Sequence, residues 1–546
     1  MTASPRRPWV ILGPVLLYGA LTVLHTWPLA TNPAHLIRDN ADAPLNAWIV
    51  SWIAHQLPRD PAHLFDANIY YPERRVLAFS EPLLPPGALA IVPRALGASA
   101  VLTYNLLLMA GFFLTGLAGY VVGARLSGDR LAGLLAGSMV AFGPHTLPRL
   151  PHLQAQWLVT LPLSLLALDA VIRKRTWGSS LALGLCVALL AVTSGYGLAL
   201  GVVAIAAGWL ARTDEWWRHW RRLAPRLAVG ALLSVFVALP VLLPYWHVVE
   251  DHGVALTTAD LSSSAALPTS FISTPARLHF GLWSHLTDRP QGGSYFPGFV
   301  GVALAVLGLV LGRGWRDPRV RMFVAVALAG ALVALGPATP LYGALRHVFP
   351  PMRGLRDPSR FGALVVLGVG FLAALGLAAL GRRLPRGRYV AVALILLGIA
   401  NAEVLCAPFD FTRHEGFSPI YGRLAAEPRR VAVAEFPFYS GEADYLNVSY
   451  VLASTTHWTP LVNGYSGVAP SGFERRAEIL RHFPDPATIE ELHRLGASHL
   501  IVHMDRYRLP VRRRRIIDFL EGRDDVVWVA TAPGGERLYR LISPSR

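Results

Sequence analysis

The chain has 546 residues, of which 53% are hydrophobic and only 15% charged, a balance that excludes an ordinary soluble globular protein. The formal net charge is +16, but the basic residues gather in short loops between long apolar runs. Membrane topology accounts for that placement, so the charge implies no nucleic-acid partner.

Arg6 and Arg7 precede a first apolar run, Trp9 to Ala30. Its charge pattern resembles a signal peptide, but the run is long enough to span a bilayer and reads as an uncleaved first helix. Ten further runs follow, giving eleven expected spans: 9–29, 99–124, 130–145, 153–172, 177–193, 195–211, 226–248, 295–312, 320–336, 360–381 and 387–406. Segment 85–97 is apolar but short, as in a re-entrant or interfacial piece. Basic residues fall in alternate loops, at Arg125/Arg130, Arg173/Lys174/Arg175, Arg212–Arg226, Arg313–Arg321 and Arg382–Arg388. The positive-inside rule makes these loops and the N-terminus cytoplasmic, in a multi-pass inner-membrane protein whose C-terminus lies outside. Cys186 and Cys406 fit neither a metal spacing nor a structural disulfide.

The first outer loop, 30–98, opens with "RDNADAPLNAW". Leu45, Trp48, Ile49, Trp52, Ile53 and Leu57 then recur at helical spacing, which predicts a helix lying flat in the membrane interface. Asp42 is placed to cap that helix, with Pro44 in its first turn, or to act as an acid. Asp39 is too far upstream to cap. A carboxylate at the mouth of a membrane cavity can serve as a general base or hold a divalent cation against a phosphate. Glu81 is either a third carboxylate of that site or a helix cap.

The second outer loop, "FGPHTLPRLPHLQAQW", places His145, Arg149, His152, Gln154 and Gln156 at the ends of two spans. Polar groups there face a cavity or hydrogen-bond in the interface. The last outer loop, "FPPMRGLRDPSRFGAL", concentrates Arg353, Arg356 and Arg360 where the charge rule predicts few basic residues. Permanently charged guanidinium forks suit phosphate oxygens, and a salt bridge to Asp357 is the competing reading.

After residue 407 the pattern changes. "RRVAVAEFPF", "ASHLIVHM" and "DDVVWVATA" read as strands, and "DPATIEELHRLG" carries helix start and stop signals. The expected fold is therefore mainly α, a polytopic bundle over 1–406 followed by an extracytoplasmic α/β domain over 407–546. In that domain "TPLVNGYSGVAP" is a candidate recognition loop or a structural one.

The stretches "RDNADAPLNAW", "NIYYPERRVLAFSEPLL" and "MRGLRDPSRFGAL", with this span pattern, resemble the GT-C superfamily of membrane glycosyltransferases. The resemblance covers about the first 410 residues, although Asp39 and Asp42 are spaced more widely than the superfamily's paired acids. It implies transfer of a sugar from a polyprenyl-phosphate donor in the membrane to a glycan, lipid or protein acceptor outside the cytoplasm. Asp39 would resemble the first-loop catalytic aspartate, with Asp42 beside it. Arg353, Arg356 or Arg360 would stabilise the leaving phosphate. Glu81, His145, His152 and Gln154 would line the substrate site. The sequence also admits a lipid or glycan transporter and a non-catalytic envelope-assembly protein. Mid-span charges and internal repeats, the marks of a transporter, are scarce.

Overall fold

The computed structural model describes residues 9–38, 40–253, 256–287, 293–311, 314–428 and 430–542. It divides into two compact units. The first comprises 1–32, 106–241 and 255–410, and the second 33–105, 242–254 and 411–546.

Each of the eleven apolar runs is helical. The helices are Trp9–His25, Ala100–Ser127, Arg130–Ala141, Thr160–Lys174, Trp177–Thr193, Gly195–Leu210, Trp220–His252, Phe299–Leu311, Pro318–Ala334, Gly362–Gly381 and Arg386–Glu403. Side-chain caps fix several starts. Asp129 accepts the Ala132 N–H at 2.9 Å, Thr176 accepts from Ser179 at 3.2 Å and Ser194 from Gly197 at 3.2 Å. Among the described residues, four helical stretches are long and apolar enough to cross a membrane: Ala100–Ser127, Leu153–Lys174, Thr213–His252 and Pro358–Gly381. Caps and turns cut other apolar runs short. Ser194, for example, ends one helix and caps the next.

The Gly362–Gly381 helix is the hub of the first unit and packs on Phe299–Leu311, Pro318–Ala334 and Arg130–Ala141. Glycines permit the close approach. A Cβ on Gly376 would stand 1.9 Å from the Leu304 carbonyl oxygen, and one on Gly308 2.6 Å from that of Leu372. Small residues at such crossings are the usual basis of helix association in lipid, where no hydrophobic drive distinguishes protein from solvent. Leu165, Leu168, Phe323, Leu364 and Phe371 fill the core between these helices.

In the second unit β1 (Leu36–Ile37) pairs antiparallel with β2 (Thr412–Arg413). A four-stranded sheet follows from β3 (Val433–Phe436), β4 (His499–His503), β5 (Val526–Thr531) and β6 (Glu536–Leu541), in the order β3-β4-β6-β5. β3 and β4 are parallel, with Val433 opposite His499, and the remaining pairs are antiparallel. The Pro486–Leu495 helix begins at Asp485, which accepts the Ala487 N–H at 2.9 Å, and ends at Gly496 in the left-handed region.

The Asp42–Gln56 helix corrects the interfacial expectation. Its residues 45–54 are all buried. The Trp48 indole donates to Asn68 Oδ1 at 3.1 Å and that of Trp52 to the Leu64 carbonyl at 2.8 Å. The helix packs on Leu84–Leu89 and on Val448–Ala453 of the C-terminal segment, so its apolar stripe meets protein instead of headgroups. Neighbouring loop backbone is tied in as well. Tyr70 N donates to Asn463 O at 3.0 Å, and Leu461 N to Asn68 O at 2.9 Å.

Candidate functional site

In the first unit a polar cluster forms where the 143–152 turn, the 357–361 turn and two tyrosines meet. Pro358 opens the short helical turn Pro358–Phe361, which presents Asp357, Ser359 and Arg360 together. Arg360 Nε donates to Asp357 Oδ2 at 3.1 Å, and its guanidinium lies 4.1 Å over the Tyr196 ring. The Tyr196 hydroxyl accepts the Asp357 N–H at 2.8 Å. From the other turn, Arg149 Nη2 reaches Ser359 Oγ at 3.1 Å and the Tyr295 hydroxyl at 3.2 Å, and stands 3.9 Å from Asp357 Oδ2. Ser359 donates to Asp357 Oδ1 at 2.5 Å, and Tyr295 to the Ser359 carbonyl. His145 Nδ1 lies 3.4 Å from Arg149 Nη1.

Two guanidiniums thus share one carboxylate. Arg149 and Arg360 are only 12% and 13% exposed at their side chains, so both guanidiniums are held in a largely desolvated place. Such a site favours an anion with several oxygens.

The remaining proposed residues distribute as follows. Of the three late-loop arginines, Arg360 joins the cluster. Arg353 is exposed and donates to the Arg346 carbonyl at 3.2 Å, and Arg356 is exposed, with its carbonyl accepting from Ser264 at 2.6 Å. His152 is half-buried, and Gln154 is buried with its Oε1 unpartnered among the described residues. Gln156 is structural, donating to the carbonyls of Thr146 and Arg149. Asp42 and Glu81 belong to the second unit. Asp39 lies outside the described residues.

Asp42 is half-buried in the first turn of its helix, but the capping bond comes from Asn40, whose Oδ1 accepts the Ala43 N–H at 3.1 Å. Asp42 and Arg38 lie within electrostatic reach of the buried Tyr104 hydroxyl. Glu81 is half-buried near Tyr245, whose hydroxyl donates to the Ser80 carbonyl at 2.6 Å. The Leu84–Leu89 helix begins after Leu83, whose side chain makes no cap.

Sequence reasoning singled out no role for Tyr196, Tyr295 or Ser359 and left Asp357 as a mere salt-bridge partner. The rule that a polar residue at a span mouth faces a cavity, already used for His145, would have found both tyrosines.

No family model and no curated protein matches the chain. Among solved structures, the mycobacterial arabinofuranosyltransferase AftD matches at a TM-score of 0.59 and 16% identity, over 99% of this chain and 42% of its own. The chain therefore spans less than half the length of AftD. An Archaeoglobus fulgidus oligosaccharyltransferase matches at 0.46 and 14% identity over 92% of this chain and 70% of its own. ArnT from Cupriavidus metallidurans bound to undecaprenyl phosphate matches at 0.46 and 14% over 98% and 100%. With four helical stretches long and apolar enough to cross a membrane among its described residues, this chain shares the fold of the arabinofuranosyltransferase AftD.

Proposed function

We propose that the protein is a membrane glycosyltransferase that moves a sugar from a polyprenyl-phosphate donor to an acceptor outside the cytoplasm. In this reading all eleven helices cross the inner membrane, with the N-terminus inside and the sheet-bearing unit outside. The observation that carries it is the largely buried pair Arg149 and Arg360 meeting at the carboxylate of Asp357, set in the fold of a glycosyltransferase. In one in-line displacement the acceptor oxygen bonds to the anomeric carbon as the bond from that carbon to the phosphate oxygen breaks. A first-loop acid, Asp39 or Asp42, takes the acceptor proton. Charge grows on the departing phosphate, which is what two buried guanidiniums stabilise better than they stabilise the donor. Arg353, Arg356, Glu81, His145, His152 and Gln154 remain candidates for contacts to the rest of the substrate. A divalent cation on the first-loop acids is an optional addition.

The test is release of undecaprenyl phosphate from a panel of undecaprenyl-phosphate-linked sugars by the purified full-length protein. Arg360→Gln and Arg149→Gln are each expected to lower kcat about 100-fold. Asp39→Asn and Asp42→Asn, assayed singly, identify the base by a loss of similar size. Wild-type turnover by a folded Arg360→Gln variant would remove the phosphate-holding role. Failure of every donor in the panel would remove the enzyme reading.

A further inference from the structure

An open cavity of about 320 Å³ lies in the first unit between the turn that ends Ala100–Ser127 and the turn that joins Gly362–Gly381 to Arg386–Glu403. Its polar lining is Ser127, Asp129, Arg382, Arg386 and Tyr389, and Ala378 and Leu384 give it an apolar wall. The polar groups divide sharply. Asp129 is already engaged, with Oδ1 accepting the Ala132 N–H at 2.9 Å and the Tyr389 hydroxyl at 2.7 Å. The Ser127 hydroxyl donates to Gly123 O at 2.7 Å and accepts from Asp129 N at 3.1 Å. Arg382 and Arg386, by contrast, have no carboxylate partner among the described residues. Arg382 and Arg386 stand exposed at the rim of the cavity, and the exposed Arg383 and Arg388 nearby add to the positive potential.

Depth and size then narrow the ligand. Two of the helices long enough to cross a membrane end at this cavity, at Ser127 and Gly381, which sets it at headgroup level. The volume accepts a phosphodiester headgroup, and the apolar wall can meet the start of an acyl chain. Basic pockets between membrane helices on the positively charged side bind anionic headgroups in this way. We propose that this cavity is a binding site for the phosphodiester of an anionic phospholipid, held by Arg382 and Arg386. The positive-inside rule explains why arginines stand on this face. It does not by itself call for a concave site in which two arginines line the cavity beside an aspartate already hydrogen-bonded to a backbone N–H and a tyrosine.

The site is independent of sugar transfer and is tested by native mass spectrometry of the full-length protein with equal phosphatidylglycerol and phosphatidylcholine. The wild type is expected to retain phosphatidylglycerol in preference by about thirtyfold, from two arginines at the membrane surface. Arg382→Gln/Arg386→Gln should reduce the preference to near unity, and Arg388→Gln, outside the cavity lining, should keep most of it. Three results would overturn the proposal: equal retention of both lipids by the wild type, full preference in the double variant, or an equal loss in Arg388→Gln. Displacement of phosphatidylglycerol by millimolar inorganic phosphate would make it a soluble-anion site and overturn the lipid assignment. If the double variant misfolds, the wild-type arms with phosphatidylcholine and inorganic phosphate still decide.

Discussion

At the residue scale, Asn40 and Asp42 show how closely a capping amide and a candidate carboxylate can stand in one turn. Asn40 lies two positions before the Asp42–Gln56 helix and Asp42 is its first residue. The capping bond is made by Asn40, whose Oδ1 accepts the Ala43 N–H. Asn40→Ala should therefore cost about 1 kcal/mol in unfolding free energy. Asp42→Asn should cost only a few tenths, through the helix dipole, while lowering activity. Denaturant unfolding of the two variants separates these roles, and equal losses would return the cap to Asp42. A second residue carries a pH signature. His457 is buried, its Nδ1 accepts the Thr459 N–H at 3.0 Å, and burial pulls its pKa from 6.5 to about 4, with Glu435 opposing and Arg430 adding. Between those values the unfolded chain binds a proton that the folded chain refuses. The His457 contribution is whole above pH 6.5 and declines as pH falls, by about 3 kcal/mol at pH 4. Thermal unfolding of wild type and His457→Asn from pH 7.5 to 4.5 should show the shallower decline in the variant. Parallel curves would exclude His457. The spacing of apolar residues located the start of the Asp42–Gln56 helix. It could not choose between Asn40 and Asp42, since that choice turns on a backbone angle.

Among the elements, the apolar helices were legible because their long apolar runs stand out in composition, although only four helical stretches among the described residues reach membrane-spanning length. Their pairing was not. It depends on which glycines face which backbones, and a glycine inside an apolar run looks the same on either side of the helix. Gly376 is the sharpest case, because any side chain there meets the Leu304 carbonyl of the Phe299–Leu311 helix. Gly376→Leu should lower the melting temperature markedly, with a loss of several kcal/mol from backbone separation. Gly398→Leu, where nothing lies within 4 Å, should change little. Similar losses in both would show that the crossing is not close-packed. The Asp42–Gln56 helix illustrates the opposite failure. Its spacing of leucine, tryptophan and isoleucine reads as amphipathic in any setting, and an apolar stripe does not say whether lipid or protein will cover it. Trp48, 1% exposed and bonded to Asn68, settles the matter for protein. Trp48→Ala should cost 3–5 kcal/mol, roughly what a core site loses and more than an interfacial one would.

At the scale of the whole molecule, the second unit is discontinuous, assembled from 33–105, 242–254 and 411–546. The β1–β2 pair, the backbone bonds of Tyr70 and Leu461, and the Arg476–Glu73 ion pair at 2.8 Å all join the first loop to the C-terminal segment. Residues 411–546 expressed alone should therefore aggregate or remain loosely packed, and co-expression with 33–105 should restore a protease-resistant core. A stable isolated fragment would show that the loop merely rests on it. The strands and helices after 407 carry local signals and were readable, whereas the partnership with the first loop links residues more than 300 positions apart. No periodicity in a single sequence records such a contact.

That partnership has a cost during synthesis. At 5–20 residues per second, about 300 residues separate the emergence of the first loop from that of its partner, a wait of roughly 15–60 s. Throughout it Trp48, Trp52 and Tyr70 have no cover from the C-terminal segment. In the orientation proposed above, the nascent chain is shielded outside the cytoplasm for that interval, so its yield should depend more on extracytoplasmic holdase chaperones than on its final stability.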